Sequence, residues 1–138
     1  MSYRATAARL RAEQLHGFFD GWLVPPEPEG LLAILKASHR CVVAIDPADD
    51  RVVGFATAIT DATFCAYISL LEVRLPYRSL GIGAEIVRRL LSALEGLYMV
   101  DVCCDAELVG FYSRFGMQPV AGAGLRRPQH LSDVTHAS

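Results

Sequence analysis

The stretch that decides the fold is Leu71-Glu72-Val73-Arg74-Leu75-Pro76-Tyr77-Arg78-Ser79-Leu80-Gly81-Ile82-Gly83. A predicted strand stops at the proline, a tight turn follows, and an amphipathic helical pattern begins at the first glycine. The start of a helix has unpaired backbone N–H groups and a partial positive charge, so it binds anions well. Glycines at 81 and 83 let a phosphate approach the backbone, and Arg78 adds a charged, planar donor. The pattern R-x-x-G-x-G therefore predicts a pyrophosphate cradle, with a sharp loop that needs glycine only for packing as the alternative.

The segments on either side predict a mixed sheet. Residues Cys41–Ile45, Arg51–Thr60 and Phe64–Leu75 have the composition of strands, and their short linkers predict an antiparallel meander. The helix predicted over Gly81–Glu95 leads to a buried strand over Tyr98–Cys104, which favours a β-α-β crossover. A dinucleotide-binding fingerprint fits less well, because its third glycine is missing and the strands before the turn form a meander.

Periodicity predicts further helices near both ends of the chain. Apolar residues at helical spacing indicate a first helix from Ala7 to about Asp20 and a second over Pro28–Ser38. A short helix is expected over Glu107–Phe115, ended by a left-handed Gly116. Residues Met117–Ala121 are predicted to form a last strand.

Composition excludes several classes of protein. The chain has 138 residues, 52% of them hydrophobic and 20% charged, which predicts one globular domain over residues 1–121 followed by a loop or tail over 122–138. A net charge of −2 argues against nucleic-acid binding. The sequence contains no apolar run long enough to span a membrane. Four cysteines without C-x-x-C spacing and scattered histidines indicate reduced thiols in a cytoplasmic protein, without a metal site.

Two blocks of sequence resemble the GNAT superfamily of acyl-CoA-dependent N-acyltransferases. Residues 73–83 are similar to the family pattern V-x-x-x-x-[QR]-x-x-G-x-[GA] at identical spacing. Residues 105–117, which begin Asp-Ala-Glu-Leu-Val-Gly-Phe-Tyr, are similar to the family's N-x-x-A-x-x-F-Y-x-x-x-G-F region. The resemblance covers roughly residues 3–121 and implies a single α/β domain, with a mixed, mostly antiparallel sheet flanked by helices.

The resemblance also implies an activity: transfer of an acetyl group from acetyl-CoA to a primary amine, by direct attack in a ternary complex and without a metal. The acceptor stays open between a small amine, such as a polyamine or an aminoglycoside-like polycation, and a protein amine. Relatives are often dimers, so a homodimer is possible. The alternative function is an acyl-CoA-binding regulatory module without turnover.

Residue by residue, the resemblance implies where acetyl-CoA would bind. Backbone N–H groups would hold the pyrophosphate at Arg78, Ser79, Leu80, Gly81, Ile82, Gly83 and Ala84. The main chain of Leu71 and Val73 would pair with the pantetheine arm, and Asp105 stands where relatives often contact that arm through asparagine. Tyr112 lies at the family's general-acid position, from which it would protonate the CoA thiolate. The alternative for Tyr112 is a packed core aromatic.

The general base is left open. Strict alternation along the third strand places Tyr67, Ser69, Leu71 and Val73 on one face and Glu72 on the other. Relatives commonly place a base on the face of Val73. Glu72 is the strand's only carboxylate, and a bulge would be needed to direct it at the acceptor. Glu72 is thus either the base or an ordinary ion-paired acid.

The remaining chemistry-bearing residues have plainer interpretations. Cys103 and Cys104 lie in the predicted buried strand and are expected to be core thiols. Phe18, Phe19 and Trp22 are expected to pack in the core, with a role in lining an acceptor pocket as the alternative. Four acids are interpreted as solvated loop charges unless several converge, in which case they would suit a cationic amine: Asp20, Glu27, Glu29 and Asp61.

Overall fold

Four antiparallel strands and one parallel strand form a single sheet in the computed structural model, which describes residues 1–131. The strands are β1 (Ser2–Arg4), β2 (Arg40–Asp46), β3 (Arg51–Thr60), β4 (Cys65–Val73) and β5 (Met99–Val102). Their order in the sheet follows the chain, and only β4 and β5 are parallel. The predicted meander and the parallel pairing across the crossover helix are both confirmed.

Helices cover both faces of this sheet. They are α1 (Pro28–Ala37), α2 (Ile82–Ala93) and the short α3 (Val109–Ser113). Single 3-10 turns occur at Ala12–Gln14, Leu75–Tyr77, Ala106–Leu108 and Pro128–His130. The predicted mixed sheet flanked by helices is confirmed. No helix in the described part of the chain is long and apolar enough to cross a membrane.

The sheet separates two apolar clusters. On one face Ile82, Ile86 and Leu90 of α2 pack against the sheet, where small residues such as Ala44 and Ala56 let the helix approach closely. Leu31 and Leu35 of α1 pack on the other face with the N-terminal segment and Phe55. Burying a side chain of this size stabilises a fold by about 1.5–3 kcal/mol, so both clusters are needed.

The helix predicted over Ala7–Asp20 is wrong. The only helical turn in the segment is the 3-10 turn at Ala12–Gln14, and Gly17 and Phe19 have a positive φ, which a right-handed helix does not permit. Its apolar residues are nevertheless buried as expected: Ala7, Leu10, Leu15 and Phe19. The segment crosses the sheet as irregular chain, because contacts with β3 and α1 replace the local hydrogen bonds of a helix.

Predictions at the chain ends are also corrected. The structure has no strand over Met117–Ala121, whereas Ser2–Arg4 pairs with β2 although no strand was expected there. Gly116 has the predicted left-handed conformation, with φ +87°. The tail predicted over 122–138 contains a turn at Pro128–His130, and residues 132–138 lie outside the described part.

Gly54 sets the distance between α2 and the sheet. A Cβ atom at this position would lie 2.9 Å from Ile86 Cδ1 and 3.3 Å from the backbone oxygen of Glu72. Ile86 is fully buried, so its side chain has little room to move away. Glycine is therefore required at position 54 because α2 and β4 approach its backbone closely. No motif in the sequence indicated this.

We expect Gly54→Ala to lower the free energy of unfolding by about 1–3 kcal/mol, because overpacking a rigid core forces neighbours to shift. Urea denaturation followed by circular dichroism measures the change. Gly110→Ala is the matched control, since a Cβ there meets nothing within 4 Å. The control should be neutral or stabilising by up to about 1 kcal/mol. Equal stability of the Gly54 and Gly110 variants would contradict the close-approach argument.

Candidate active site

Strands β4 and β5 separate partway along their length. Their pairing runs from Cys65 opposite Met99 to Ile68 opposite Val102 and ends there, whereas β4 continues to Val73. The β5 side of residues 69–73 has no strand partner among the described residues. This open edge offers backbone donors and acceptors to an extended ligand, as an added strand would use them.

A β-bulge at Ser69 accompanies this separation. Thr57 of β3 pairs with Leu70 and the next residue, Ala58, pairs with Ile68, so Ser69 is an extra residue in β4. Its hydroxyl lies 2.8 Å from the Thr57 hydroxyl, which fixes the bulge from the side. A bulge bends its strand and increases the local twist, which turns the end of β4 away from β5.

The bulge overturns the predicted assignment of side chains to faces. Leu71 and Val73 pack with the α2 cluster, as Ile68 does before the bulge. Glu72 pairs with Phe55, so it lies on the opposite face, towards α1. Tyr67 precedes Ile68 and also lies on that opposite face. Tyr67 and Glu72 thus share one face, whereas strict alternation had separated them.

The main chain at the end of β4 points towards the open edge. The N–H of Arg74 donates to the carbonyl of Val53 in β3 at 2.8 Å, so Val73, one residue earlier, directs its polar groups to the other side. Its carbonyl accepts a hydrogen bond from Arg78 Nε at 2.9 Å. Leu71 lies two residues before Val73, so its backbone N–H and C=O groups point the same way. The main chain of both residues predicted to pair with pantetheine therefore faces the gap.

The turn between β4 and α2 has the geometry of an anion cradle. Ser79 and Gly81 have φ values of +65° and +83°, and α2 begins at Ile82 without a side-chain cap. The N–H groups of the first turn therefore have no partner within the helix. A Cβ at Gly83 would lie 3.6 Å from Val73 Cγ2, so a side chain here would project beside the end of β4. The residues present fit a pyrophosphate group.

Glu72 belongs to a cluster of three charged side chains, together with Arg78 and Asp20. Arg78 Nη2 lies 2.7 Å from Asp20 Oδ1 and 3.8 Å from Glu72 Oε2. Burial raises the pKa of Glu72 above its usual range, Arg78 lowers it and Asp20 raises it further, with a net upward shift. A carboxyl group with a raised pKa is a stronger base than an exposed one.

Tyr112 is buried in the short helix α3. It is 5% exposed, and its ring contacts Phe111 edge-on with centroids 5.0 Å apart. Burial, with smaller effects of Cys104 and Tyr67, raises the pKa of Tyr112 to about 12. The hydroxyl is therefore protonated at neutral pH. Both the acid and the packed-aromatic interpretation predict burial, so burial does not separate them.

Tyr67 and the two adjacent cysteines lie beside Tyr112. A hydrogen bond with Cys103 is the main cause that raises the pKa of Tyr67. Cys103 is exposed and Cys104 is half-buried, so the expectation of two core thiols is wrong. Strand β5 ends at Val102, which leaves both cysteines in the loop where the strands separate.

Asp105 is exposed and begins the turn Ala106–Leu108 on the far side of the gap. The structure thus brings together the end of β4, the turn, Glu72 and Arg78. Asp20 was expected to matter only if several acids converged; its contact with Arg78 was not expected, because no motif links two residues 58 positions apart. Among the aromatic residues expected in the core, Phe19 is buried, Phe18 is half-buried and Trp22 is exposed. Residues 1–131 contain no cluster of three potential metal ligands.

Comparisons with known proteins agree with this geometry. A Deinococcus radiodurans R1 protein assigned as an acetyltransferase is 42% identical, with a TM-score of 0.91 over 95% of this chain and 91% of that one. Glucosamine 6-phosphate N-acetyltransferase 1 of Oryza sativa subsp. japonica is 33% identical over 93 residues. That match spans 62% of this chain and 56% of the rice protein, so the chain covers little more than half of that relative's length.

More distant structures share the fold. Glucosamine-6-phosphate N-acetyltransferase from Arabidopsis thaliana has a TM-score of 0.58 at 18% identity, over 64% of this chain and 65% of that one. The sequence profile of the Acetyltransferase (GNAT) family matches residues 7–117, which include the open strand edge, the glycine turn and Tyr112. The chain belongs to the GNAT acetyltransferase family.

Proposed function

We propose that this protein transfers an acetyl group from acetyl-CoA to a primary amine by direct attack. The observation that carries the proposal is the open edge of β4 running into the glycine turn at the start of α2. An extended arm with a pyrophosphate at one end matches these two features in order. The four free cysteines support a reducing compartment, and we place the enzyme in the cytoplasm.

The residues that would hold acetyl-CoA are those of the edge and the turn. The main chain of Leu71 and Val73 pairs with the pantetheine arm, and Asp105 faces that arm from the β5 side. The N–H groups from Arg78 to Ala84 bind the pyrophosphate. The bound group supplies a thioester carbonyl carbon that an amine can attack.

Glu72 is the proposed general base. Its carboxylate lies on the α1 face beside the open edge, and it accepts a proton from the acceptor ammonium so that the free amine can form the new C–N bond. The half-exposed Asp20 adds a second negative charge on the same side. Two carboxylates favour a cationic acceptor, as in a polyamine, an amino sugar or an aminoglycoside-like polycation.

Tyr112 is proposed to assist the leaving sulfur. A CoA thiol resembles cysteine, with a pKa of about 8.5. Complete proton transfer from a hydroxyl whose pKa is about 12 is therefore unfavourable. A hydrogen bond from the hydroxyl to the developing thiolate avoids that cost and stabilises the charge as the C–S bond breaks. Hydrogen bonding thus explains a role for Tyr112 better than full protonation.

The activity is tested by measuring thiol release from acetyl-CoA with glucosamine 6-phosphate, spermidine, kanamycin and an N-terminal peptide. We expect at least one cationic amine to be acetylated.

Gly83→Val should weaken CoA binding at least about tenfold in calorimetry, because its side chain fills the space beside Val73. Gly110→Val, on the open side of α3, is the control. Tight CoA binding without turnover for any amine would instead support the regulatory module.

Tyr112→Phe should lower kcat about tenfold to a hundredfold, since a hydrogen bond to a charged group contributes about 1.5–3 kcal/mol. The affinity for acetyl-CoA and the thermal stability should change little, because the ring and its packing remain. Steady-state thiol release with an accepted amine measures the effect. An unchanged kcat would refute the hydrogen-bond role, and a loss of rate that follows unfolding would support a core aromatic.

Glu72→Gln should lower kcat/KM by about 10²–10⁴-fold and remove the acidic limb of its pH profile. In the wild type that limb lies above the usual range of a glutamate, because the pKa of Glu72 is raised. Between the pKa of Glu72 in the unfolded chain and its raised pKa in the folded protein, the folded protein binds more protons. The free energy of unfolding therefore falls as pH rises through this range, because Glu72 becomes ionised where it is buried. Glu72→Gln is therefore expected not to destabilise the fold at pH 7.

Glu85→Gln is the matched control for this experiment. Glu85 lies on the outer surface of α2, where it pairs with Arg88 and Arg89. Its replacement should leave the pH profile unchanged. A Glu72→Gln variant with the wild-type profile would exclude Glu72 as the base.

A further inference from the structure

The side chain of Arg78 contacts the groups on which the proposed function depends. Its Nε donates to the Val73 carbonyl at 2.9 Å, and its Nη2 contacts Asp20 at 2.7 Å and Glu72 at 3.8 Å. A strand carbonyl and two carboxylates thus surround one guanidinium group. The backbone of the same residue belongs to the pyrophosphate cradle.

These contacts involve groups that both substrates would use under the proposed function. The Val73 carbonyl lies on the open edge, where the pantetheine arm would hydrogen-bond under the proposed function. The guanidinium also neutralises the two carboxylates that would attract a cationic amine. In this position Arg78 therefore competes with both substrates for these groups.

The contacts that hold Arg78 are weak compared with those that a phosphate offers. Its side chain and that of Asp20 are 43% and 48% exposed, and ion pairs between exposed groups contribute little. A guanidinium binds phosphate oxygens through two parallel charged hydrogen bonds. A pyrophosphate bound at the N–H groups of residue 78 and beyond would lie within reach of this side chain.

We propose that Arg78 is a positioning residue that closes the acceptor side in the free protein and is drawn away by the phosphates of CoA. The inference rests on the proposed function. When Arg78 moves, the Val73 carbonyl is released to the pantetheine arm, and Asp20 and Glu72 are released to the acceptor.

The state of Glu72 reports this movement. The charged groups that act on Glu72 are Arg78, which lowers its pKa, and Asp20, which raises it, while burial raises it most. When Arg78 leaves, burial and Asp20 remain, and both raise the pKa of Glu72. Glu72 then becomes a stronger base at the moment when the donor is bound, which couples the arrival of the donor to the activation of the acceptor.

The test follows the Glu72 carboxyl group by ¹³C NMR in protein labelled at glutamate, titrated over pH with and without CoA. The spectrum of Glu72→Gln assigns the signal. In the wild type we expect CoA to move the Glu72 titration midpoint upward. In Arg78→Met, which keeps an unbranched stem but has no charge, the midpoint should already be raised, and CoA should add less than half of the wild-type shift.

Arg88→Met is the matched control, since Arg88 lies on the exposed surface of α2 and pairs with Glu85. It should behave as the wild type does. A CoA-induced shift of equal size in Arg78→Met and in the wild type, or no shift in wild-type protein that binds CoA, overturns the inference on Arg78 alone. Failure of the wild type to bind CoA in calorimetry would overturn the proposed function as well.

Discussion

One extra residue in a strand governs the architecture of the candidate site. Ser69 is inserted opposite Thr57, and the hydrogen bond between the two hydroxyl groups keeps the insertion in place. The insertion moves Glu72 to the α1 face and bends the end of β4 away from β5. Without it, Glu72 would lie against the apolar α2 cluster, where an unpaired carboxylate is costly. The same bulge thus produces both the gap and the position of the proposed base.

The turn and the helix after it could be predicted because their signals are local. Pro76 lies in the turn that follows β4, Gly81 permits a positive φ, and the apolar positions of α2 repeat at helical spacing. The N-terminal segment shows where local sequence signals fail to predict the structure. Its apolar residues recur at nearly helical intervals and are buried, yet contacts with the sheet, rather than local hydrogen bonds, determine their conformation.

The bulge and the charged group could not be predicted because they depend on partners far along the chain. Strand register is set by pairing with β3, and a single sequence does not show where an extra residue falls. Glu72 could be recognised as a candidate only on the condition that a bulge existed. Asp20 and Arg78 are brought together by the path of an irregular segment that periodicity had suggested was a helix.

Under the proposed function, the gap between β4 and β5 also links the stability of the fold to ligand binding. A sheet with an open edge lacks the hydrogen bonds that a neighbouring strand would supply, and a molecule that fills the edge stabilises only the folded chain. Such binding stabilises a protein by about 2.7 kcal/mol when the free ligand is at a hundred times its dissociation constant. The lifetime of this protein in a cell should therefore follow the metabolic supply of the molecule that fills the gap, with the depleted chain exposed first to proteolysis.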